Sequence, residues 1–411
     1  MVSDHPIMAV QRFVSLWQLF GIFFRLGCTS FGGPVAHLAY FRHEFVQRRQ
    51  WYTEQDYAQT VALCQFLPGP ASSQVGMAIG QRCGGYWGAL IAWLGFTLPS
   101  AILLLGFAYF YLNAADSLGY YWIKALKLVA VAVVAQAVWE MAKSLCPDNL
   151  RVTVAILTAC LLLLVSGVLV QIALMLVSAL IGWRFIGEDA THHDKAPDST
   201  AVFNSRPVFL KPILLLLLFC ALLLILPWFA ASSTHDGTKL FDHFFRAGAL
   251  VFGGGHVVFP LLQVELVPGW LSQDAILAGY GAAQAVPGPL FTLATYLGAV
   301  ATPLTAWKGA LIATLAIFLP AFLLLFAVLP LWQYFSRYQA MRRAIAGINA
   351  AVVGILLAAL YNPVFTSAVS HNYDLAAVLL AFVALVHWRW PPQILVVLAA
   401  SAAVIWQLVV G

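Results

Sequence analysis

The sequence predicts an all-α polytopic membrane protein, made of two homologous halves in inverted topology and interrupted by Gly- and Pro-broken helices. Three observations predict it. Of 411 residues, 62% are apolar and only 9% charged, whereas a soluble domain carries roughly 25% charged residues. Too little polar surface remains to wrap a soluble core of this size, and the mean hydropathy of +0.88 agrees. Soluble enzymes, secreted modules and disordered scaffolds are thereby excluded. The second observation is an internal repeat, and the third is that helix-breaking motifs recur at equivalent places within it.

The repeat rests on four matches in one order, at offsets of 219 to 221 residues. Phe24-Arg25-Leu26-Gly27 with Phe31-Gly32-Gly33 recurs as Phe245-Arg246-Ala247-Gly248 with Phe252-Gly253-Gly254. Gln65 to Pro70 (QFLPGP) recurs as Gln284 to Pro289 (QAVPGP). Gly88 to Pro99 recurs as Gly309 to Pro320 with eight of twelve residues identical, and Ala132-Val133-Val134 as Ala351-Val352-Val353. This is a tandem duplication.

The elements of each half follow in order. An apolar segment broken at Gly-Gly comes first (13–40 and 242–262), then one broken at Pro-Gly-Pro (57–82 and 274–300). Two long apolar helices follow, and two short ones close each half. The expected division is a first repeat over 1–187, a polar linker over 188–208, an unrepeated transmembrane helix over 209–231, and a second repeat over 232–411. At about 20 apolar residues per crossing, the chain has room for about nine to thirteen membrane segments, and the element count gives about 13.

The single extra helix turns the second half upside down, because an even number of crossings precedes it. Loop charges agree: loop 41–56 carries Arg42, Arg48 and Arg49, while its counterpart 263–273 has Glu265 and no basic residue. Conversely, loop 333–343 carries Arg337, Arg342 and Arg343, while 113–121 has Asp116 and none. Basic residues gather on the cytoplasmic side. If the broken segments are re-entrant hairpins, every basic loop lands inside; if they cross fully, loop 41–56 lands outside. We adopt the hairpins. Either way the N-terminus is expected in the cytoplasm and the C-terminus outside. No removable signal peptide is expected within Met1 to Arg12.

The breaks are the candidate substrate-binding elements: Gly32, Gly33, Pro68, Gly69 and Pro70 in one half, Gly253, Gly254, Pro287, Gly288 and Pro289 in the other. No α-helix runs undisturbed through Pro-Gly-Pro, and unwound backbone at membrane depth must be buried in protein or line a cavity. A helix restarting after a break offers unpaired N–H groups to an anion. Arg25 and Arg246 are expected to add positive charge suited to a tetrahedral dianion, with snorkelling to headgroups as the plain alternative. Gln65 and Gln284 either donate amide N–H groups to the same oxygens or satisfy freed carbonyls. His37, Glu140 and His256 are candidate proton or hydrogen-bond sites; packing for the histidines, and an ion pair with Lys143 for Glu140, are their plain alternatives. The six cysteines are spaced as free thiols. There is no GxxxxGK[ST] loop, no HExxH and no zinc spacing, and His192-His193-Asp194 reads as solvated linker. No cofactor, no metal, no nucleic-acid partner and no enzymatic activity are expected.

These motifs together resemble the chromate transporter family in its long, two-repeat bacterial form, over nearly the whole chain. The resemblance rests on FGGP (Phe31–Pro34), QFLPGP with Gln74 six residues after Pro68, GALIAWLGFTLP, FGGGHVVFPLL (Phe252–Leu262), QAVPGP and GINAAVVG (Gly347–Gly354). It departs at Gln81-Arg82-Cys83, where such chains are more uniformly apolar or aromatic. The resemblance implies a secondary exporter of chromate in the bacterial cytoplasmic (inner) membrane, driven by the proton motive force and conferring chromate resistance. Sulfate or another oxyanion, or an anion channel, is the alternative reading. Partners are then the transported anion and membrane lipid, with a homodimer left open.

Overall fold

The computed structural model describes residues 14–114, 119–165, 167–187, 210–252, 255–267, 269–301, 304–332 and 338–410. Gly253, Gly254, Asp116, Arg337, the linker 188–208 and its His192-His193-Asp194 lie outside the described residues. Among the described residues there are helices and no strand.

In chain order the first half comprises α1 (Leu16–Thr29), α2 (Gly33–Arg42, prolonged by a π turn His43–Arg48) and α3 (Glu54–Phe66). The helical run Ala71–Ala114 is interrupted by non-helical backbone at Gly84 and Gly85, with φ of +63° at Gly85. It is therefore two helices, α4 (71–83) and α5 (86–114), folded against each other where Gly80 and Gly88 touch backbone to backbone. Next come α6 (Gly119–Leu145), α7 (Asn149–Leu164) and α8 (Val168–Phe185). The connecting helix α9 (Leu210–Ser232) leaves Leu214, Leu217, Leu224, Ile225 and Trp228 exposed.

The second half repeats the order: α10 (Asp236–Leu250), α11 (Val258–Leu266), α12 (Gln273–Ala285) and α13 (Leu293–Val300). α14 (Ala306–Val328), α15 (Gln339–Ala359), α16 (Asn372–Val386) and α17 (Pro392–Val410) complete it. Local signals repeat too. Thr53 caps α3 by accepting from Asp56 N, and Ser272 caps α12 by accepting from Ala275 N, each silencing an orphan donor of the first turn. Five of the helical stretches are long and apolar enough to cross a bilayer by length and composition.

All four broken segments turn back on themselves. Phe23 on α1 stacks on Phe45 at 5.2 Å between centroids and meets Phe41 at 5.8 Å, contacts that only a reversal between α1 and α2 allows. Asp56 at the start of α3 accepts from Arg82 at the end of α4 at 3.1 Å, so this pair reverses at Pro68-Gly69-Pro70; Arg82, out of character in the sequence, is the residue that ties it. In the second half Arg246 Nη2 donates to Glu265 Oε2 at 2.8 Å, and Tyr296 Oη to Ala275 O at 3.1 Å. These are four helical hairpins, α1–α2, α3–α4, α10–α11 and α12–α13, each with a Gly or Pro break at its tip.

Packing between the halves is crossed. α7 and α8 of the first half lie on α15 of the second, while α16 and α17 lie on α6. Glycine lets the first set approach: Gly347 abuts Ser178 O and Gly354 abuts Ala155 O, backbone against helix, the way closely packed membrane helices gain dispersion contact. The second set is joined by Lys124 Nζ to Asp374 Oδ1 at 2.9 Å, both nearly buried. The equivalent helices α5 and α14 run antiparallel, since Tyr86 meets Phe326 and Trp93 meets Phe318 and Phe322.

Candidate functional site

The four hairpin tips meet at one place between the halves. Gly69 donates its N–H to Val251 O at 2.7 Å, and Gly288 donates to Ser30 O at 2.9 Å. Gly69 and Gly288 are repeat equivalents, as are Val251 and Ser30, so one bond is the image of the other across the duplication. A Cβ added at Gly255 would stand 3.6 Å from Pro34 Cγ and 3.3 Å from Leu290 Cβ, which joins the remaining tips. Gly32, Gly33, Gly69 and Gly288 hold φ of +94°, +77°, +117° and +102°, in the region that glycine alone occupies without steric cost.

Four helical starts point into this meeting place, those after Gly32, after Pro70, at the Gly255–Val257 turn and at the Leu290–Thr292 turn. In α4 the first intrahelical bond runs from Gln74 N to Pro70 O at 2.9 Å, which leaves the N–H groups of Ala71, Ser72 and Ser73 to point forward. Polar side chains surround them. His37, 1% exposed, sets its Nδ1 3.3 Å from Ser72 Oγ and its ring edge-on to Phe96. Gln74 Nε2 donates to Pro68 O at 2.9 Å, fixing the shape of the tip. Ser30 Oγ, His37 Nε2, Ser73 Oγ and Gln74 Oε1 are buried with no hydrogen-bond partner among the described residues. Buried polar atoms normally have partners, so this cluster has unused capacity for a polar guest.

The second half contributes differently. His256 Nδ1 lies 2.9 Å from Tyr280 Oη, Tyr280 in turn meets Gln284, and His256 Nε2 faces Gly33 of the other half. Where α4 begins Ala71-Ser72-Ser73-Gln74, its counterpart begins Leu290-Phe291-Thr292-Leu293, and Thr292 Oγ1 turns back to donate to Pro289 O at 2.6 Å. The polar lining is therefore concentrated at the first half's tips. Gln65 and Gln284 also part company: Gln65 is exposed, while Gln284 is half-buried beside Tyr280.

Arg25 and Arg246, expected to bring charge to a bound anion, meet a different geometry. Arg25 Nη2 lies 3.7 Å from Glu44 Oε2 and Arg246 Nη2 lies 2.8 Å from Glu265 Oε2, again equivalent pairs. Helical side chains tilt toward the helix N-terminus, and the N-termini of α1 and α10 are at the hairpins' open ends. Both guanidinium groups are thereby carried away from the tips to clamp the hairpin arms together. Glu140 accepts from Gln136 Nε2 at 2.8 Å on the exposed side of α6, and Lys143 covers Trp139 rather than pairing with it. No cluster of His, Cys, Asp and Glu able to hold a metal occurs among the described residues. Sequence reasoning missed Ser72, Ser73 and Tyr280, which are ordinary residues until folding brings them to the tips. It also missed Glu44 and Glu265 as partners, although their shared offset of 221 with the two arginines was a usable signal.

Broken helices that meet at an internal polar site are an arrangement that membrane transporters use. The chromate transporter family profile matches residues 17–183 and 238–406, and the chain belongs to the chromate transporter family. It is 27% identical to the "Probable chromate transport protein" of Synechococcus elongatus, over 98% of this chain and 99% of that one. It is 27% identical to the "Chromate transport protein" of Cupriavidus metallidurans over 84% of this chain and 82% of that one. An uncharacterised transporter of Methanocaldococcus jannaschii is 26% identical over 84% and 83%. No solved structure matches the chain.

Proposed function

We propose that this chain exports chromate, a tetrahedral dianion, across the bacterial cytoplasmic membrane, driven by the membrane potential, and so confers chromate resistance. The reciprocal bonds Gly69–Val251 and Gly288–Ser30 carry the reading. They bring four helix starts together where a dianion would find backbone donors and partial positive charge without a fixed cation. The anion sits between the tips, held by the α4 N–H groups, Ser72, Ser73 and His37, with Gly32, Gly33, Pro68, Gly69, Pro70, Pro287, Gly288 and Pro289 shaping the seat and His256 closing over it. Neutral donors suit a cargo that must leave, since a buried guanidinium would hold a dianion too tightly to release it.

The membrane arrangement belongs to the same proposal. The four hairpins are re-entrant and nine helices cross, giving 13 membrane segments in two inverted repeats; the antiparallel pairing of α5 with α14 supports it. Moving one charge through 100 mV is worth about 2.3 kcal/mol, so a dianion leaving a negative-inside cell gains about 4.6 kcal/mol per 100 mV. Chromate uptake into inside-out vesicles, with potential and pH gradients imposed separately, tests the function. Lumen-positive potential should drive accumulation, and uptake indifferent to potential would overturn the proposed driving force. Excess unlabelled sulfate separates the alternative cargo, because neutral donors around a tetrahedral dianion accept sulfate by the same geometry.

A further inference from the structure

The Arg–Glu clamp of the second half has become a different site from its equivalent in the first. In the first half one buried carboxylate, Glu44, is met by three arginines, Arg25, Arg48 and Arg49, at 3.7, 3.0 and 2.7 Å. In the second half two buried carboxylates share one arginine: Arg246 Nη2 lies 2.9 Å from Asp242 Oδ2 and 2.8 Å from Glu265 Oε2. A histidine completes this cluster, His243, with Nδ1 2.8 Å from Glu265 Oε2 and its ring against Trp270. Asp242 Oδ1 and Glu265 Oε1 are buried and without a partner among the described residues.

We propose that the Asp242–His243–Arg246–Glu265 cluster is a proton-binding site that makes chromate transport pH-dependent. Two carboxylates, 5% and 6% exposed, against one guanidinium leave a surplus negative charge in a poorly solvated place, and a proton is the smallest charge that cancels it. An ionised carboxylate only accepts hydrogen bonds, so at 2.8 Å a proton must lie between His243 Nδ1 and Glu265 Oε2. Arg246 Nη2 is 3.3 Å from the same Nδ1, so the imidazole and the guanidinium share the two carboxylates between them. The elements packed around the cluster carry further ionisable groups. α10 itself adds Asp236 and Lys239, with His235 preceding it; α14 adds Lys308, which covers Trp307; α9 adds Lys211. α12 adds Asp274, held by Lys127; α8 adds Arg184 and α15 adds Arg342 and Arg343. The consequence reaches the anion seat along α10, because Val251, which holds Gly69, follows that helix directly. An uncharged cluster grips the hairpin arms and steadies the tip; a surplus charge loosens them.

The consequence for transport rests on the proposed function, but proton binding itself does not, and the two are read separately. Purified full-length protein in detergent, without chromate, is titrated between about pH 8 and pH 5.5 with a pH-indicator dye. His243→Gln, and independently Asp242→Asn, should take up about one proton fewer than the unaltered protein. In proteoliposomes the same variants should carry chromate at a rate that is flat within about twofold across that range, whereas the unaltered protein's rate changes with pH. Proton counts equal to the unaltered protein's in either folded variant overturn the site. Altered counts with unaltered pH profiles overturn the coupling to transport and leave the site standing.

Discussion

Gly69 N and Val251 O, in different halves of the chain, are 2.7 Å apart, and their repeat equivalents Gly288 N and Ser30 O are 2.9 Å apart. Each Pro-Gly-Pro tip is thus bonded to the end of a helix of the opposite half, so the meeting place of the tips cannot form in either half alone. A first expectation follows for these two glycines. At φ of +117° and +102° a side chain costs about 1–2 kcal/mol of backbone strain. A Cβ at Gly288 would also lie 2.9 Å from Ser100 Oγ, and one at Gly69 3.1 Å from Gln74 Nε2. Gly69→Ala and Gly288→Ala should each cut vesicle chromate uptake by roughly ten-fold or more at normal expression; full uptake in either would show that the tip geometry is dispensable.

The equivalent arginines should not behave equivalently. Arg246→Ala leaves the buried Asp242 without its counter-ion and Glu265 with His243 alone, a loss of about 3–5 kcal/mol. Arg25 is 62% exposed and Glu44 keeps Arg48 and Arg49, so Arg25→Ala should cost under about 1 kcal/mol. Thermal unfolding in detergent measures both. Equal and small shifts would mean that the Glu265 clamp contributes nothing to stability.

Helix α15 should tolerate no bulk where it meets α7 and α8. A Cβ on Gly347 or Gly354 would strike the backbone at Ser178 or Ala155, so helices must separate. Gly347→Leu should lower stability by about 1–3 kcal/mol, as overpacking does, while Gly106→Leu, with open space around it, should leave stability unchanged.

The proposed inverted topology with re-entrant hairpins would place the open end of α1–α2 in the cytoplasm and the C-terminus outside. A cysteine at Arg49 should react with impermeant reagent only from the cytoplasmic side. A fusion after Gly411 should report an exterior location, and a cytoplasmic signal there would refute the odd number of crossings.

Much of the fold was legible in the sequence. Repeat offsets of 219 to 221 residues gave the duplication, and Gly and Pro gave the positions of the breaks, because backbone permissiveness and a missing N–H act locally. The partners were not legible for the same reason. Gln65 and Gln284 stand in matching motifs, yet one is exposed and the other half-buried beside Tyr280, since that burial depends on which helix of the other half lies across it.

By itself, then, the sequence determined a membrane-embedded duplicated chain with four interrupted segments and the family resemblance those motifs carry. Only the tertiary structure decided that each interruption reverses the chain, that tips are exchanged between halves, and that Arg25 and Arg246 lead away from them. Composition and local propensity fix where a helix can break, but whether the chain turns back there depends on what its arms can pack against and bond. Glu44 and Glu265 supply that bond, and the tilt of helical side chains toward the N-terminus sends each arginine to its glutamate instead of to the tip.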